Sequence, residues 1–349
     1  MAAGRPPPEG CTEELLEEAV REAASRVYAP LPGEDPDAAQ RRRASDRLVA
    51  DGGLILRLPF QPPLDWETML AYFEARAIAG VESVSGGTYR RTVMIDGDPG
   101  VLELSLGGPD HLLLRAHLPH WEGLIHVARR ARRIFNLDWD GAGSTRHLGA
   151  DPIVGPLMRG RRGIRPPGTW DPFETGVRAI IGQHVSVAGA NTIAARIVEQ
   201  YGTQVPGLHP LGLTYLFPSP ATLATADLSG AGIPSARAAA INSFARAIQD
   251  SDIRLDRGGS LGQLTASIMA IRGLGPWTAQ YLALRMGEPD AFPATDLGLR
   301  RSLSDGRPVT PRDAERTAAH WRPWRALAAA YLWLGSGIRP ARTASGSND

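Results

Sequence analysis

Two kinds of hydrophobic periodicity occupy different parts of the chain, and this division constrains the fold most strongly. Short alternating runs begin at Leu54 (LILRLPF, TYRRTVMID, VLELSLG and HLLLRAHL), and two segments of helical periodicity lie among them, DWETMLAYFEARA and HWEGLIHVARRARRIF. Alternation is typical of strands with one buried face. After Asp171 only helical patterns remain. The sequence therefore predicts an α+β fold, with a small α+β domain over 54–140 followed by an all-helical domain over 141–338.

In the two terminal segments only residues 13–26 carry such a pattern, which predicts one amphipathic helix there. Residues 1–53 are rich in Pro, Glu and Arg, and we expect them to form a flexible N-terminal extension. For residues 339–349 we expect a disordered tail. The sequence contains no apolar stretch long enough to span a membrane and no N-terminal signal peptide. We therefore expect a cytoplasmic protein.

The composition excludes several kinds of chemistry. Cys11 is the only cysteine, which excludes an intramolecular disulfide, a cysteine-bound iron–sulfur cluster and a Cys-rich zinc site. All 38 basic residues are Arg, so no lysine amine can form a Schiff base. The formal net charge of +1 does not by itself indicate nucleic acid binding. Nine arginines between residues 129 and 165 form either a solvated helix face with a linker or a surface that contacts phosphate.

The stretch RGLGPWTAQY, residues 272–281, places two glycines and a proline directly before a predicted helix. Glycine allows close approach of the backbone, and the first free N–H groups of a helix attract anions. Phosphate is therefore a candidate ligand. The same residues also occur in tight corners between helices that bind nothing, so both interpretations stand on this pattern alone.

A loop with several prolines, GEPDAFPATDLGLRR, delivers Asp296 to the start of a short predicted helix. An acid in that position is usually a helix cap. A carboxylate beside an aromatic cleft can also oppose developing positive charge. The tryptophans and tyrosine near these features either pack in the core or line a pocket for a flat ring. They are Trp277, Tyr281, Trp321, Trp324 and Trp333.

The segment GQHVSVAGA interrupts a long helical pattern, with Gln183 and His184 at a predicted turn and Ser186 as the next helix cap. A single histidine at such a turn is either an ordinary surface or core residue or a functional one.

Five motifs, in this order and at these separations, closely resemble the AlkA-type alkylbase DNA glycosylases, 3-methyladenine DNA glycosylase II, of the helix-hairpin-helix superfamily. They are QPPLDWETMLAYFEARA, FETGVRAIIGQHVSVAGA, GLGPWTAQYLALR, FPATDLGLRR and WRPWRALAAAYLW. The resemblance covers about residues 55–338. It implies a TBP-like α+β domain and an all-helical glycosylase domain. It also implies base excision repair by a monomer that flips alkylated purines, of the 3-methyladenine and 7-methylguanine type, out of double-stranded DNA and needs no cofactor.

The resemblance also assigns roles to residues. Asp296 matches the family's catalytic carboxylate. The family's aromatic base pocket corresponds to Tyr72, Trp277, Tyr281 and Trp333. The hairpin, residues 268–281, is implied to bind DNA phosphate through backbone N–H groups. Its turn glycines, Gly273 and Gly275, are implied to offer carbonyls to a Na⁺ or K⁺ ion. The resemblance also implies that Gln183, His184 and Arg272 contact DNA. Trp277 follows the turn where glycosylases with lyase activity carry their lysine, which implies a monofunctional enzyme.

Three positions depart from the family pattern: His184 replaces a leucine wedge, Leu297 replaces a tyrosine, and Arg272 stands where proline is common. Two other functions remain open, a damage-binding protein without catalysis and the glycosylase part of an adaptive-response regulator. Asp296 disfavours the first, because a binding protein does not need a carboxylate near phosphates. The segment before residue 54, with its single cysteine, is too small for the cysteine-zinc methyltransferase of such regulators.

Overall fold

The computed structural model describes residues 48–49, 52–121, 123–139, 141–183, 185–255, 258–304 and 306–335. Most of the expected N-terminal extension and the whole expected C-terminal tail lie outside these ranges, as does His184. No helix in the described ranges is long and apolar enough to cross a membrane.

The first domain is a five-stranded antiparallel sheet covered on one face by two helices. Along β1, Leu54, Leu56 and Leu58 are buried while Ile55 and Arg57 are exposed, so the alternation in the sequence corresponds to one core face. The strands lie in the order β1-β5-β4-β3-β2. Their bounds are β1 (Leu54–Pro59), β2 (Glu82–Ser85), β3 (Thr88–Ile95), β4 (Asp98–Gly108) and β5 (His111–His117), and the helices are α1 (Trp66–Glu74) and α2 (Leu124–Ile134). The predicted α+β domain is confirmed.

The second region is built from helices around two apolar cores. The first helices are α3 (Gly141–Gly149), α4 (Val154–Gly160), α5 (Pro172–Gly182), α6 (Val187–Tyr201), α7 (Pro220–Thr225) and α8 (Ser235–Gln249). The remaining helices are α9 (Leu261–Met269), α10 (Pro276–Arg285), α11 (Leu297–Ser302), α12 (Pro311–Ala318) and α13 (Arg325–Gly335). Single-turn 3₁₀ helices lie at His209–Leu211, Ser229–Ala231 and Ala319–Trp321.

One short ribbon interrupts the helices, and the sequence patterns did not indicate it. Its strands are β6 (Thr203–Gln204) and β7 (Tyr215–Leu216). The ribbon is hydrogen-bonded to the first domain. The Tyr215 N–H donates to the Gly80 carbonyl at 2.9 Å, and the Thr92 hydroxyl donates to the Tyr215 carbonyl at 2.7 Å. Pairing with another domain thus keeps this segment extended without any local alternation of apolar residues.

A buried ion network joins the two domains. Arg91 on β3 donates to Glu174 on α5 at 2.6 Å, and Arg178 on α5 donates to Glu82 on β2 at 2.7 Å and to Glu174 at 2.8 Å. Burial by itself would raise the pKa of Glu82, but Arg178, Arg91 and the hydroxyl of Tyr89 outweigh it and lower that pKa. The network fixes α5 against the sheet, so side chains from both domains can meet in one cleft.

Some of the nine arginines between residues 129 and 165, the basic strip, are used inside the protein. Arg165 is buried and donates to the carbonyls of Asn136 and Leu137 at 3.0 and 3.1 Å. Arg130 donates to the Trp170 carbonyl at 3.0 Å. Since these guanidiniums satisfy backbone acceptors, the strip is not one continuous surface for phosphate.

Candidate active site

The predicted hairpin is the connection between α9 and α10. Gly273 has φ of 93°, a left-handed conformation that favours glycine, and a Cβ there would lie 3.1 Å from the Ala240 Cβ. Gly275 caps α10 with extended backbone. In the described part of the chain, the N–H groups of Gly273 and Gly275 donate to no protein acceptor. The hairpin therefore presents free N–H groups at the start of α10, beside the exposed Arg272.

The turn between α5 and α6 lies next to the hairpin. Gln183 ends α5, and its side-chain amide donates to the Thr278 hydroxyl on α10 at 3.0 Å. Ser186 caps α6 by accepting from the Gly189 N–H at 3.1 Å, as predicted. Val185 and Val187 are 38% and 43% exposed. The turn is thus tied to the hairpin and offers apolar side chains to the surface on either side of the cap.

Asp296 caps α11 and also makes two contacts that capping does not require. Its Oδ1 accepts from the Leu299 N–H at 2.9 Å and from the Trp333 indole N–H at 3.0 Å. Its Oδ2 accepts from the Trp277 indole N–H at 2.8 Å. Each carboxylate oxygen has two acceptor positions. Oδ1 is therefore fully used, whereas Oδ2 keeps one acceptor position to which no other described residue donates.

Three of the five aromatic residues singled out near these features form a continuous wall, namely Trp277, Tyr281 and Trp333. Trp277 and Tyr281 lie one helical turn apart on α10 and stack, with ring centroids 5.1 Å apart and an interplanar angle of 9°. Trp333 meets Tyr281 edge to face at 6.1 Å. By contrast, Trp321 is buried and donates to Asp151 at 2.8 Å, and Trp324 packs against His147. The core interpretation therefore holds for the latter two.

Tyr72 reaches the same wall from α1 of the first domain. Its hydroxyl lies 3.3 Å from the hydroxyl of Tyr281, and Arg285 donates to both, at 3.1 and 2.8 Å respectively. Burial, partly offset by Arg285, raises the pKa of Tyr72 to about 12. Burial also acts to raise the pKa of Tyr281, but Arg285, Arg76 and the hydrogen bonds outweigh it and lower that pKa to about 8.

These side chains line one cleft of about 360 Å³ between the domains, a size typical of small-molecule sites. The cleft brings together Asp296 and the four predicted pocket aromatics. It also contains guanidiniums that the sequence interpretation missed, from Arg76, Arg178 and Arg285. Two of them could have been found, because Arg76 and Arg285 each follow a predicted pocket tyrosine by four residues, one helical turn. Among the described residues, no cluster of three or more His, Cys, Asp or Glu could hold a metal ion.

Two family models match the chain in sequence order. The AlkA N-terminal domain matches residues 55–171, and the HhH-GPD superfamily base excision DNA repair protein matches residues 177–326. DNA-3-methyladenine glycosylase 2 of Escherichia coli is 33% identical over 291 residues, a match that covers 81% of this chain and 98% of that protein. The chain belongs to the AlkA family within the HhH-GPD superfamily. The resemblance predicted from the five motifs is thereby confirmed.

Two further proteins are similar to this chain. A probable bifunctional transcriptional activator/DNA repair enzyme AlkA of Mycobacterium tuberculosis is 37% identical over 301 residues. That match covers 84% of this chain and 60% of the relative, so the chain spans less than two thirds of the mycobacterial protein. A 3-methyladenine DNA glycosylase from Archaeoglobus fulgidus has a TM-score of 0.70 at 21% identity, covering 82% of this chain and 99% of that one. This structural similarity confirms the fold.

Proposed function

We propose that the protein is a monomeric, monofunctional DNA glycosylase that excises alkylated purines from double-stranded DNA. One observation carries the proposal: Asp296 is held by the indoles of Trp277 and Trp333 inside an aromatic cleft, and α10, which supplies Trp277, begins at the hairpin. The names of the Escherichia coli and Archaeoglobus fulgidus proteins support 3-methyladenine as one released base.

The hairpin and the neighbouring turn would hold the DNA. The free N–H groups of Gly273 and Gly275 suit a phosphate, and the exposed Arg272 can add a charge-assisted contact. Gln183, at the end of α5, begins the adjacent turn, where His184 would fill the gap left by the flipped nucleotide. Because His184 lies outside the described residues, its role as wedge rests on its position in the motif.

The chemistry follows from the charge of the lesion. A purine methylated at a ring nitrogen is cationic, so breaking the bond between C1′ and the base passes the bonding electron pair to the base, which leaves neutral. Positive charge then develops on the deoxyribose, where the Asp296 carboxylate opposes it. Water attacks C1′ and loses a proton. The free acceptor position of Oδ2 can orient that water and take up its proton.

A Na⁺ or K⁺ ion at the hairpin is a further part of the proposal. Among the described residues, the Gly273 carbonyl accepts no backbone N–H, and the Gly275 carbonyl accepts only from Ala279, at 3.1 Å, which leaves it one lone pair. Neutral carbonyl oxygens suit a monovalent cation. When bound, the ion would add positive charge beside the phosphate. No other cofactor enters the proposed reaction.

Released bases provide the direct test. Randomly methylated duplex DNA is incubated with the protein, and the free bases are separated and identified. We expect 3-methyladenine and 7-methylguanine in the supernatant and an intact strand until heat or alkali breaks the abasic sites. Tight binding to damaged DNA without base release would instead identify a binding protein and refute the enzymatic proposal.

A further inference from the structure

The polar end of the cleft has one hydroxyl proton for which the described residues offer no acceptor. Tyr72 and Tyr281 face each other at 3.3 Å, and Arg285 donates to both hydroxyl oxygens. The other N–H groups of Arg285 contact the Gly168 carbonyl, at 3.1 and 2.7 Å. An arginine only donates, and each phenol has a single proton. One phenol can donate to the other, and the remaining O–H has no acceptor among the described residues.

The negative and positive charges of the cleft lie at opposite ends, with the carboxylate at the indoles and the guanidiniums at the tyrosine hydroxyls. Asp296 interacts with the indole N–H groups, whereas the Tyr281 hydroxyl interacts with Arg285 and Tyr72. Arg178 is neutralised by Glu82 and Glu174. Arg76 and Arg285 have no carboxylate partner in the described part of the chain, and the Arg76 guanidinium lies 4.0 Å from the centroid of the Tyr72 ring. The tyrosine end is therefore both cationic and donating.

We propose that Tyr72 and Tyr281 together form a specificity-determining donor that selects flipped bases with an oxo acceptor on their edge. This inference rests on the proposed glycosylase function. Guanine presents the O6 acceptor where adenine presents an amino group. A 7-methylguanine whose sugar lies near Asp296 can accept the unused proton on O6. A 3-methyladenine in the same pose would oppose its amino group to an O–H and to guanidiniums.

The number of available hydroxyl protons predicts different results for the single and the double variants of Tyr72 and Tyr281. In Tyr72→Phe the Tyr281 proton no longer has a phenol partner and stays available to the base, and in Tyr281→Phe the same holds for Tyr72. Either single variant therefore keeps one donor. Only the double variant removes it, while all ring contacts remain. We expect a strongly non-additive loss.

The experiment compares single-turnover release rates of 7-methylguanine and 3-methyladenine from the same methylated duplex. We expect each single variant to change the ratio of the two rates by less than about threefold, and the double variant to lower it by about tenfold. Tyr215→Phe is the matched control, because that hydroxyl on β7 makes no hydrogen bond in the described ranges. An unchanged ratio in the double variant, or the full loss in one single variant, would overturn the proposal.

A second measurement uses the unmodified protein and so does not depend on the folding of a variant. Deprotonation of Tyr281 removes the spare proton, because Tyr72 then donates to the phenolate. We expect the ratio of 7-methylguanine to 3-methyladenine release to fall as the pH rises through about 8, the pKa of Tyr281. The charged and titratable groups around this hydroxyl are Tyr72 and Arg76 on α1, Arg178 on α5, Arg285 on α10 and Asp296 across the cleft on α11.

The two proposals fail in different ways. A ratio that stays constant across this pH range overturns the donor role while base release continues. If the wild-type protein releases neither base, the glycosylase function itself is wrong, and the donor role falls with it.

Discussion

Asp296 accepts three hydrogen bonds, and this number determines what a substitution there will do. Asn keeps one oxygen for the Leu299 N–H and the Trp333 indole, but its amide NH₂ then faces the Trp277 indole N–H. Two donors cannot satisfy each other, so Asp296→Asn removes the charge and also weakens the local structure.

We expect Asp296→Asn to lower single-turnover excision by about 10²-fold or more and the free energy of unfolding by about 1–3 kcal/mol. Excision assays and urea unfolding measure the two effects. Asp227→Asn is the control. The Asp227 Oδ1 also accepts a backbone hydrogen bond, from the Ser229 N–H, but Asp227 does not line the cleft. An Asp296→Asn protein with near wild-type excision would reduce Asp296 to a helix cap.

Sequence reasoning identified Asp296 and the four cleft aromatics but not how these residues are connected. The motifs identified Asp296, Trp277 and Trp333, but neither the motifs nor the spacing indicated that both indoles donate to this carboxylate. The hydrogen bonds depend on the relative placement of α10, α11 and α13, which are separated along the chain. Likewise, Tyr72 meets Tyr281 across 209 residues of sequence, and local periodicity does not report such long-range contacts.

At the scale of elements, the two hairpin glycines have different requirements. Gly273 needs its left-handed backbone, and a Cβ at this position would lie only 3.1 Å from the Ala240 side chain. Gly275 has φ of −109°, and a Cβ there would meet nothing within 4 Å. An identical substitution at the two positions therefore separates folding from DNA binding.

We expect Gly273→Ala to lower the free energy of unfolding by about 1–2 kcal/mol. Gly275→Ala should unfold like the wild type but bind an abasic-analogue duplex several-fold more weakly, because the new methyl group would crowd a phosphate near the N–H groups. Urea unfolding and fluorescence anisotropy at fixed salt measure these effects. If Gly275→Ala bound DNA as tightly as the wild type, the hairpin would be only a corner between helices.

Helix starts were the most predictable elements. Ser186 and Asp296 cap α6 and α11 because capping is a local interaction between a side chain and the next turn. The β6–β7 ribbon could not be predicted, since it depends on Gly80 and Thr92 of the other domain. The use of Arg165 for backbone carbonyls likewise depends on a tertiary arrangement that a run of arginines does not specify.

At the scale of the whole molecule, the buried network between the domains should make stability depend on acid. The pKa of Glu82 is lowered below its ordinary value of 4.5. Its stabilisation is therefore complete above that pH and is lost as the pH falls through the folded-state pKa. Below the ordinary value the unfolded chain binds the proton more readily, which favours unfolding.

We expect Glu82→Gln to lower the free energy of unfolding at neutral pH by about 3–5 kcal/mol, because Arg178 and Arg91 lose a buried partner. The variant should also show a shallower loss of stability than the wild type below pH 4.5. Urea unfolding at several pH values measures both. Parallel pH profiles of the two proteins would contradict the assigned role of Glu82.

The chain contains no lysine, and we therefore expect that it does not cleave the DNA strand through a Schiff base. Lesion-containing DNA treated with the protein in the presence of borohydride should give no covalent adduct, because no side-chain amine can form the required Schiff base. Gel electrophoresis with a lysine-dependent glycosylase/lyase as positive control shows whether trapping works. A trapped adduct that maps to any site other than the N-terminal amine would contradict monofunctional chemistry.

The ion network between the domains also limits how far the two halves are interchangeable. Separated from the sheet, α5 would carry Glu174 and Arg178 without Arg91 and Glu82, and the sheet would keep the converse pair. Each half would keep one Arg–Glu pair of its own but would lose the two ion pairs that cross between the domains. A chimera that joins this helical domain to a different sheet must keep an Arg and a Glu at positions 91 and 82, or it loses the two buried ion pairs across its junction.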